Sequence, residues 1–127
     1  MTESDPLPVT AEPPVTAEAD LQTLCSTLHL DAPVVQRFVA DYLRLLPSRL
    51  DRIDSDLARG DLPAATVDLL SLATSSTMLG ASDVTEAAEQ LRERSASGNP
   101  AAVDASRLQL ISRVEQAKLR LARISVA

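Results

Sequence analysis

Histidine and cysteine are the side chains from which nucleophilic and metal chemistry is most often built, and this chain has one of each, His29 and Cys25. A lone cysteine cannot close an internal disulfide. One cysteine with one histidine cannot make a Cys/His metal cluster or a Cys-rich zinc site. His29 falls one residue past the apolar stripe Leu21, Leu24, Cys25 and Leu28, and no recognisable motif sets an acid or a nucleophile around it. That placement predicts a surface or half-buried imidazole near a helix end. The densest run of hydroxyls is Ser71, Thr74, Ser75, Ser76 and Thr77. A hydroxyl needs a positioned base to act as a nucleophile, and no base or cationic neighbour is placed beside these. On a helix they bond backbone carbonyls or pack inward instead. Gly60, Gly80 and Gly98 lie too far apart to assemble a phosphate-cradling loop. No catalytic group, metal site or cofactor is expected.

The elements that would position these residues are helices. Apolar periodicity is helical from Asp20 onward, without strand-like alternation. After the short stripe at 21–28, a long helix is predicted from about Pro33 to Arg59. Its stripe reads Val35, Phe38, Tyr42 and Leu45, then slips by one residue to Leu46, Leu50, Ile53 and Leu57. Pro47 sits at the slip and should bend the helix. Gly60 ends it in a left-handed cap, and Asp61 caps the next helix. That helix, about 62–79, carries Leu62, Ala65, Leu69, Leu72, Ser76 and Leu79. Ser82 or Asp83 caps a fourth helix with Val84, Ala87, Ala88 and Leu91 inward, Asp83 and Glu86 having capping-box spacing. Ser97-Gly98-Asn99-Pro100 combines a terminator, a cap and a first-turn proline. The last helix buries Leu110, Val114, Ala117, Leu121 and Ile124. These readings give an all-α chain, an antiparallel four-helix bundle with a short extra N-terminal helix.

Composition narrows the partners. At 127 residues the chain suits one domain. Its formal charge is −6, and Phe38 and Tyr42 are its only aromatic residues. Acidity disfavours a phosphate backbone, and two rings give no base-stacking platform, so no nucleic acid is expected. The acid excess resides in residues 1–20, which hold Glu3, Asp5, Glu12, Glu18 and Asp20 and no Lys or Arg. The same stretch contains Pro-Val-Thr-Ala-Glu twice, at 8–12 and 14–18. Residues 1–17 therefore read as a disordered acidic tail, and 18–127 as the folded domain. The tail lacks the basic start and apolar run of a signal peptide, and no stretch is apolar enough for a membrane span. A cytoplasmic protein without membrane association is expected, in keeping with its unpaired cysteine.

The segment from Phe38 to Ile124 resembles a histidine-containing phosphotransfer (Hpt) domain. Leu46-Pro47-Ser48-Arg49-Leu50, then Leu57, then Gly60-Asp61, is similar to that family's second helix and its exit turn. Leu72 to Ala81 is similar to the signature H-x-L-K-G-S-S-x-x-L-G-A, matching at Leu72, Ser75, Ser76, Leu79, Gly80 and Ala81. Ala87, Ala88 and Leu91 fit the following helix, and Gly98 fits its terminating loop. The departures fall on the chemistry. Leu70 occupies the phosphoacceptor histidine position, Ala73 the lysine position and Thr74 the adjacent glycine position. No shift of register restores the motif, because residues 30–127 contain no histidine. An alkyl side chain at Leu70 offers no lone pair to a phosphoryl group. His29 lies on a different helix, without the signature around it. A chain that is inert in phosphotransfer, and not an enzyme, is expected.

On a wheel of 100° per residue, Val67, Leu70, Ser71, Thr74, Met78 and Ala81 lie opposite the core stripe of the 62–79 helix. Asp68 is the only charge on that helix. The resemblance implies that this face meets a partner, with Ala73 and Thr77 also in the contact. The partner it implies is the receiver domain of a response regulator, or a histidine kinase, in two-component signalling. Two other arrangements stay open. The 20–30 helix or the proline-bent segment would cover the face and make it core, or two copies of the chain would pair through it as a homodimer.

Overall fold

The computed structural model describes residues 17–125, and the chain there is all-helical. The helices are α1 (Ala17–Leu28), α2 (Ala32–Ala58), α3 (Leu62–Met78), α4 (Ser82–Ser97) and α5 (Pro100–Ser125). No strand occurs among the described residues. The tail expected over 1–17 lies outside them, except that Ala17 already belongs to α1.

Each helix ends where the backbone chemistry dictates. At Gly60 (φ 70°) the Gly60 amide donates to Leu57 O and the Asp61 amide to Asp56 O, at 3.1 and 2.9 Å. Gly80 (φ 74°) repeats the pattern, its amide donating to Thr77 O and that of Ala81 to Ser76 O. These paired bonds need a left-handed residue, which costs glycine least. At the end of α1 that place is taken by His29, the one described non-glycine residue with positive φ (57°), while the Leu30 amide reaches back to Cys25 O. Asp61 Oδ1 accepts from the Ala64 amide and caps α3. Asn99 Oδ1 accepts from Ala101 and Ala102 and caps α5. The cap expected at Ser82 or Asp83 is corrected. The first helical residue of α4 is Ser82, its N-cap is Ala81 without a side-chain bond, and Asp83 Oδ1 accepts from the adjacent Val84 amide instead.

Helices α2 to α5 pack in a ring, α2 on α3, α3 on α4, α4 on α5 and α5 on α2, while α1 rests on α2 and α5. Polar bonds tie successive members. Tyr42 in early α2 meets Ser76 in late α3 at 2.6 Å. Thr77 in late α3 meets Thr85 in early α4 at 3.0 Å. Arg94 in late α4 donates to Ser106 in early α5 at 2.8 Å. Gln36 in early α2 donates to Ile124 O at the end of α5. The core inside the ring is aliphatic, centred on Leu46, Ile53, Leu69, Leu72, Leu91, Leu110 and Leu121.

The stripe of α2 differs from expectation. Val35, Val39, Tyr42, Leu46 and Ile53 are buried, whereas Phe38 and Leu45 are exposed. The buried positions follow one uninterrupted alternation of four and three residues, and the helix continues through Pro47. Two polar residues, Arg49 and Asp56, stand at inward positions of that alternation, half-buried and buried respectively. Leu62 is a smaller correction: it is exposed on the first turn of α3. The inward residues predicted for α4 and α5 are all buried.

Candidate functional site

Helix α3 buries Ala65, Leu69, Leu72, Ala73 and Ser76 against its neighbours. The opposite side is open. Val67, Leu70 and Met78 remain 63%, 43% and 46% exposed, and Ser71, Thr74 and Thr77 are exposed between them. Helix α1 lies on α2 and α5, and its Leu24 approaches Gly80, just past the end of α3. Six of the seven residues expected at a partner contact therefore share one accessible side of α3. The seventh, Ala73, is corrected: it is 4% exposed and belongs to the core. It follows Leu72 and lies one helical turn beyond Leu69, and its carbonyl accepts from the Thr85 hydroxyl of α4. Ala81 is likewise buried at the turn into α4.

The exposed side of α3 continues onto α2. Phe38 and Leu45, displaced from the core stripe, stand beside it. With Asp41, Tyr42, Arg49, Ser75, Met78 and Leu79 they line a hollow of about 210 Å³ with largely apolar walls. A second hollow of about 430 Å³ is formed by Arg49, Val67, Leu70, Ser71, Thr74 and Ser75. Arg49 lines both, its guanidinium 3.5 Å from Ser75 Oγ, which corrects the expectation that no cation stands beside these hydroxyls. Arg49 puts a positive charge at the centre of a mainly apolar strip, with Asp41 at the edge held by Arg44 at 3.2 Å, and a residue-type search for catalytic groups passes over that base. The signal that finds it is spacing: Arg49 lies seven residues after Tyr42, on the same line of α2.

Most hydroxyls here are committed to structure, Ser71 being the exception. Thr74 Oγ1 donates to Leu70 O and Thr77 Oγ1 to Ala73 O, both at 2.9 Å, the back-bonding that threonine makes inside a helix. Ser76 is fully buried against the Tyr42 phenol. Burial pushes the Tyr42 pKa above its ordinary value, with the Ser76 bond acting in the opposite direction. The phenol is thus kept neutral and bridges two helices. His29 is exposed at the left-handed cap after α1, just before the start of α2. Arg49 is separated from Ala32 by 17 positions along α2, roughly 25 Å of helix. Leu70, which shares a hollow with Arg49, is therefore remote from the α1 cap. Among the described residues no three His, Cys, Asp or Glu side chains converge as a metal-holding group, and no helix is long and apolar enough to cross a membrane.

The arrangement presents a strip of mainly apolar side chains with a central guanidinium, a surface chemically suited to binding. No family model, no curated protein and no solved structure matches the chain.

Proposed function

We propose that the chain is a pseudo-phosphotransfer protein, an Hpt-like antiparallel four-helix bundle (α2 to α5) with α1 as an added N-terminal helix. It docks a response-regulator receiver domain or a histidine kinase in the cytoplasm and passes no phosphate. The observation that carries this reading is the accessibility of Leu70. It stands on the uncovered side of α3, at the position that the resemblance gives to the phosphoacceptor histidine. An apolar side chain there keeps a surface for association and removes the nucleophile. The protein then acts by occupancy, as a competitor, adaptor or scaffold. Burying a leucine at a contact contributes about 1.5–3 kcal/mol, so truncating it weakens binding roughly 10- to 100-fold. Leu70→Asp does worse, because a carboxylate must be desolvated.

The test is a calorimetric titration of the full chain against a panel of receiver domains and histidine kinases. At least one should bind, and Leu70→Asp should abolish that binding while leaving the melting temperature unchanged. A lack of binding across the panel overturns the reading. The same largely apolar strip supports a second reading, in which two copies pair through α3 about a two-fold axis and the chain serves as a self-associating scaffold. Light scattering separates the two, since only the second gives a mass that rises with concentration and falls back to the monomer in Leu70→Asp.

A further inference from the structure

Beneath the candidate face, two carboxylates meet across the α2–α3 interface. Asp56, on the inward line of α2, is 3% exposed. Its Oδ1 is 2.7 Å from the Arg59 guanidinium, while its Oδ2 is buried with no hydrogen-bond partner. Asp68, the lone charge of α3, has its carboxyl within hydrogen-bond reach of Asp56. Its nearest base, Arg52, stands off at 3.9 Å. Two ionised carboxylates cannot share a hydrogen bond, but one proton between them makes one oxygen a donor and gives the other a partner.

We propose that Asp68 carries a proton and donates it as a hydrogen bond to the buried Asp56 carboxylate, so that the α2–α3 interface under the exposed strip is a proton-operated latch, tightened by acid and loosened as the proton leaves. This inference is independent of which partner the strip binds. Asp68 also borders a hollow of about 250 Å³ with Leu45, Arg49, Arg52 and Ser71, which opens a path for the proton to and from solvent. The charges around the pair come from α2 and its C-cap: Asp56 favours the proton on Asp68, Arg52 and Arg49 oppose it, and Arg59 holds Asp56 at 2.7 Å. Four bases of α4 and α5 are engaged elsewhere. In α4, Arg92 is on Glu89 and Arg94 on Ser106. In α5, Arg107 is on Asp54 and Arg120 on Asp83. Helix α1 meets α3 near Gly80, twelve residues from Asp68. Burial first, then the bond to and the charge of Asp56, raise the Asp68 pKa above its ordinary value. A group raised in the folded state stabilises that state below its unfolded pKa, and the contribution is lost as pH rises through the folded value. Acid should therefore favour the closed interface.

Side-chain carboxyl carbon NMR on the full chain tests this, by following Asp68 through a pH titration. Asp68 should titrate above the ordinary aspartate range. Asp56→Asn should bring it down, and Arg52→Gln should move it further up. Should Asp56→Asn fail to fold, Asp68→Asn provides the second measurement. Its unfolding midpoint in urea should rise at neutral pH relative to the parent, and its stability should lose the acid-favoured slope. An ordinary Asp68 titration, an Asp68 midpoint unmoved by a folded Asp56→Asn, or a slope that survives Asp68→Asn overturns the latch.

Discussion

The hydroxyl oxygens of Tyr42 and Ser76 lie 2.6 Å apart inside the interface between α2 and α3, both residues withdrawn from solvent. Neither group has ready access to water, so each depends on the other for its hydrogen bond. The pair fixes the register in which α3 lies on α2, and with it the direction in which Leu70 and Met78 point.

Removing the phenol oxygen should therefore destabilise the whole domain. Tyr42→Phe leaves the Ser76 hydroxyl buried without that partner, a change that costs about 1–3 kcal/mol. Urea unfolding at neutral pH measures it. Tyr42 is the sole tyrosine, so its ionisation can be read from absorbance without ambiguity. Its pKa is raised by burial. The stabilisation linked to that shift is present below the unfolded value and lost as pH rises through the folded one. The parent should lose this contribution in strong alkali, and Tyr42→Phe should show no such loss.

Leu69 and Leu70 are neighbours in the chain and opposites in the fold, at 1% and 43% exposure. Leu69→Ala opens a cavity in the core and should cost about 2–5 kcal/mol. Leu70→Ala should change stability by no more than about 0.5 kcal/mol, the range of ordinary surface substitutions. Thermal melts of the two variants check this. Comparable losses would mean that the strip is packed in solution.

Phe38 separates the two stripes that can be drawn on α2. As a core residue, its truncation to alanine would cost about 3–5 kcal/mol. As a wall of the hollow shared with Met78, it should cost far less and act on association instead. Phe38→Ala should thus melt close to the parent and weaken whatever binding or self-association Leu70→Asp abolishes.

The difference between those stripes shows how much of the molecule was legible in its sequence. In α3, α4 and α5 the inward positions are filled almost wholly by aliphatic or small residues, so periodicity alone finds them. In α2 the inward line runs Val35, Val39, Tyr42, Leu46, Arg49, Ile53, Asp56. A base and an acid sit where apolar residues mark the register elsewhere, and exposed Phe38 and Leu45 offer a more hydrophobic line one residue away. Hydrophobicity favours the wrong line, and tertiary packing chooses the other. The latch pair was hidden for the same reason, because Asp56 reads as a surface charge until the stripe is correctly placed. The exposed side of α3 was legible because the helix has only one charge. Ala73 was not, since the resemblance to a lysine position sets it outward while the packing of α4, through Thr85, closes over it.

His29 unites a backbone argument with a chemical one. At φ 57° it occupies the left-handed position that ends α1, where a side chain costs energy and glycine does not. Its imidazole is exposed just before α2, whose start lies roughly 25 Å of helix from the Arg49 that shares a hollow with Leu70. His29→Gly should therefore leave the fold intact and raise its stability by up to about 1 kcal/mol, through relief of that conformation. The same variant addresses phosphotransfer, because it removes the chain's sole imidazole. Incubation with a phosphorylated receiver domain, or with a histidine kinase and ATP, should give no acid-labile phosphohistidine in the parent. His29→Gly should behave identically, and both proteins should still bind the partner that Leu70→Asp loses. Stoichiometric label on the parent that vanishes in His29→Gly would make the imidazole a phosphoacceptor and would falsify the reading of a chain that acts by occupancy alone.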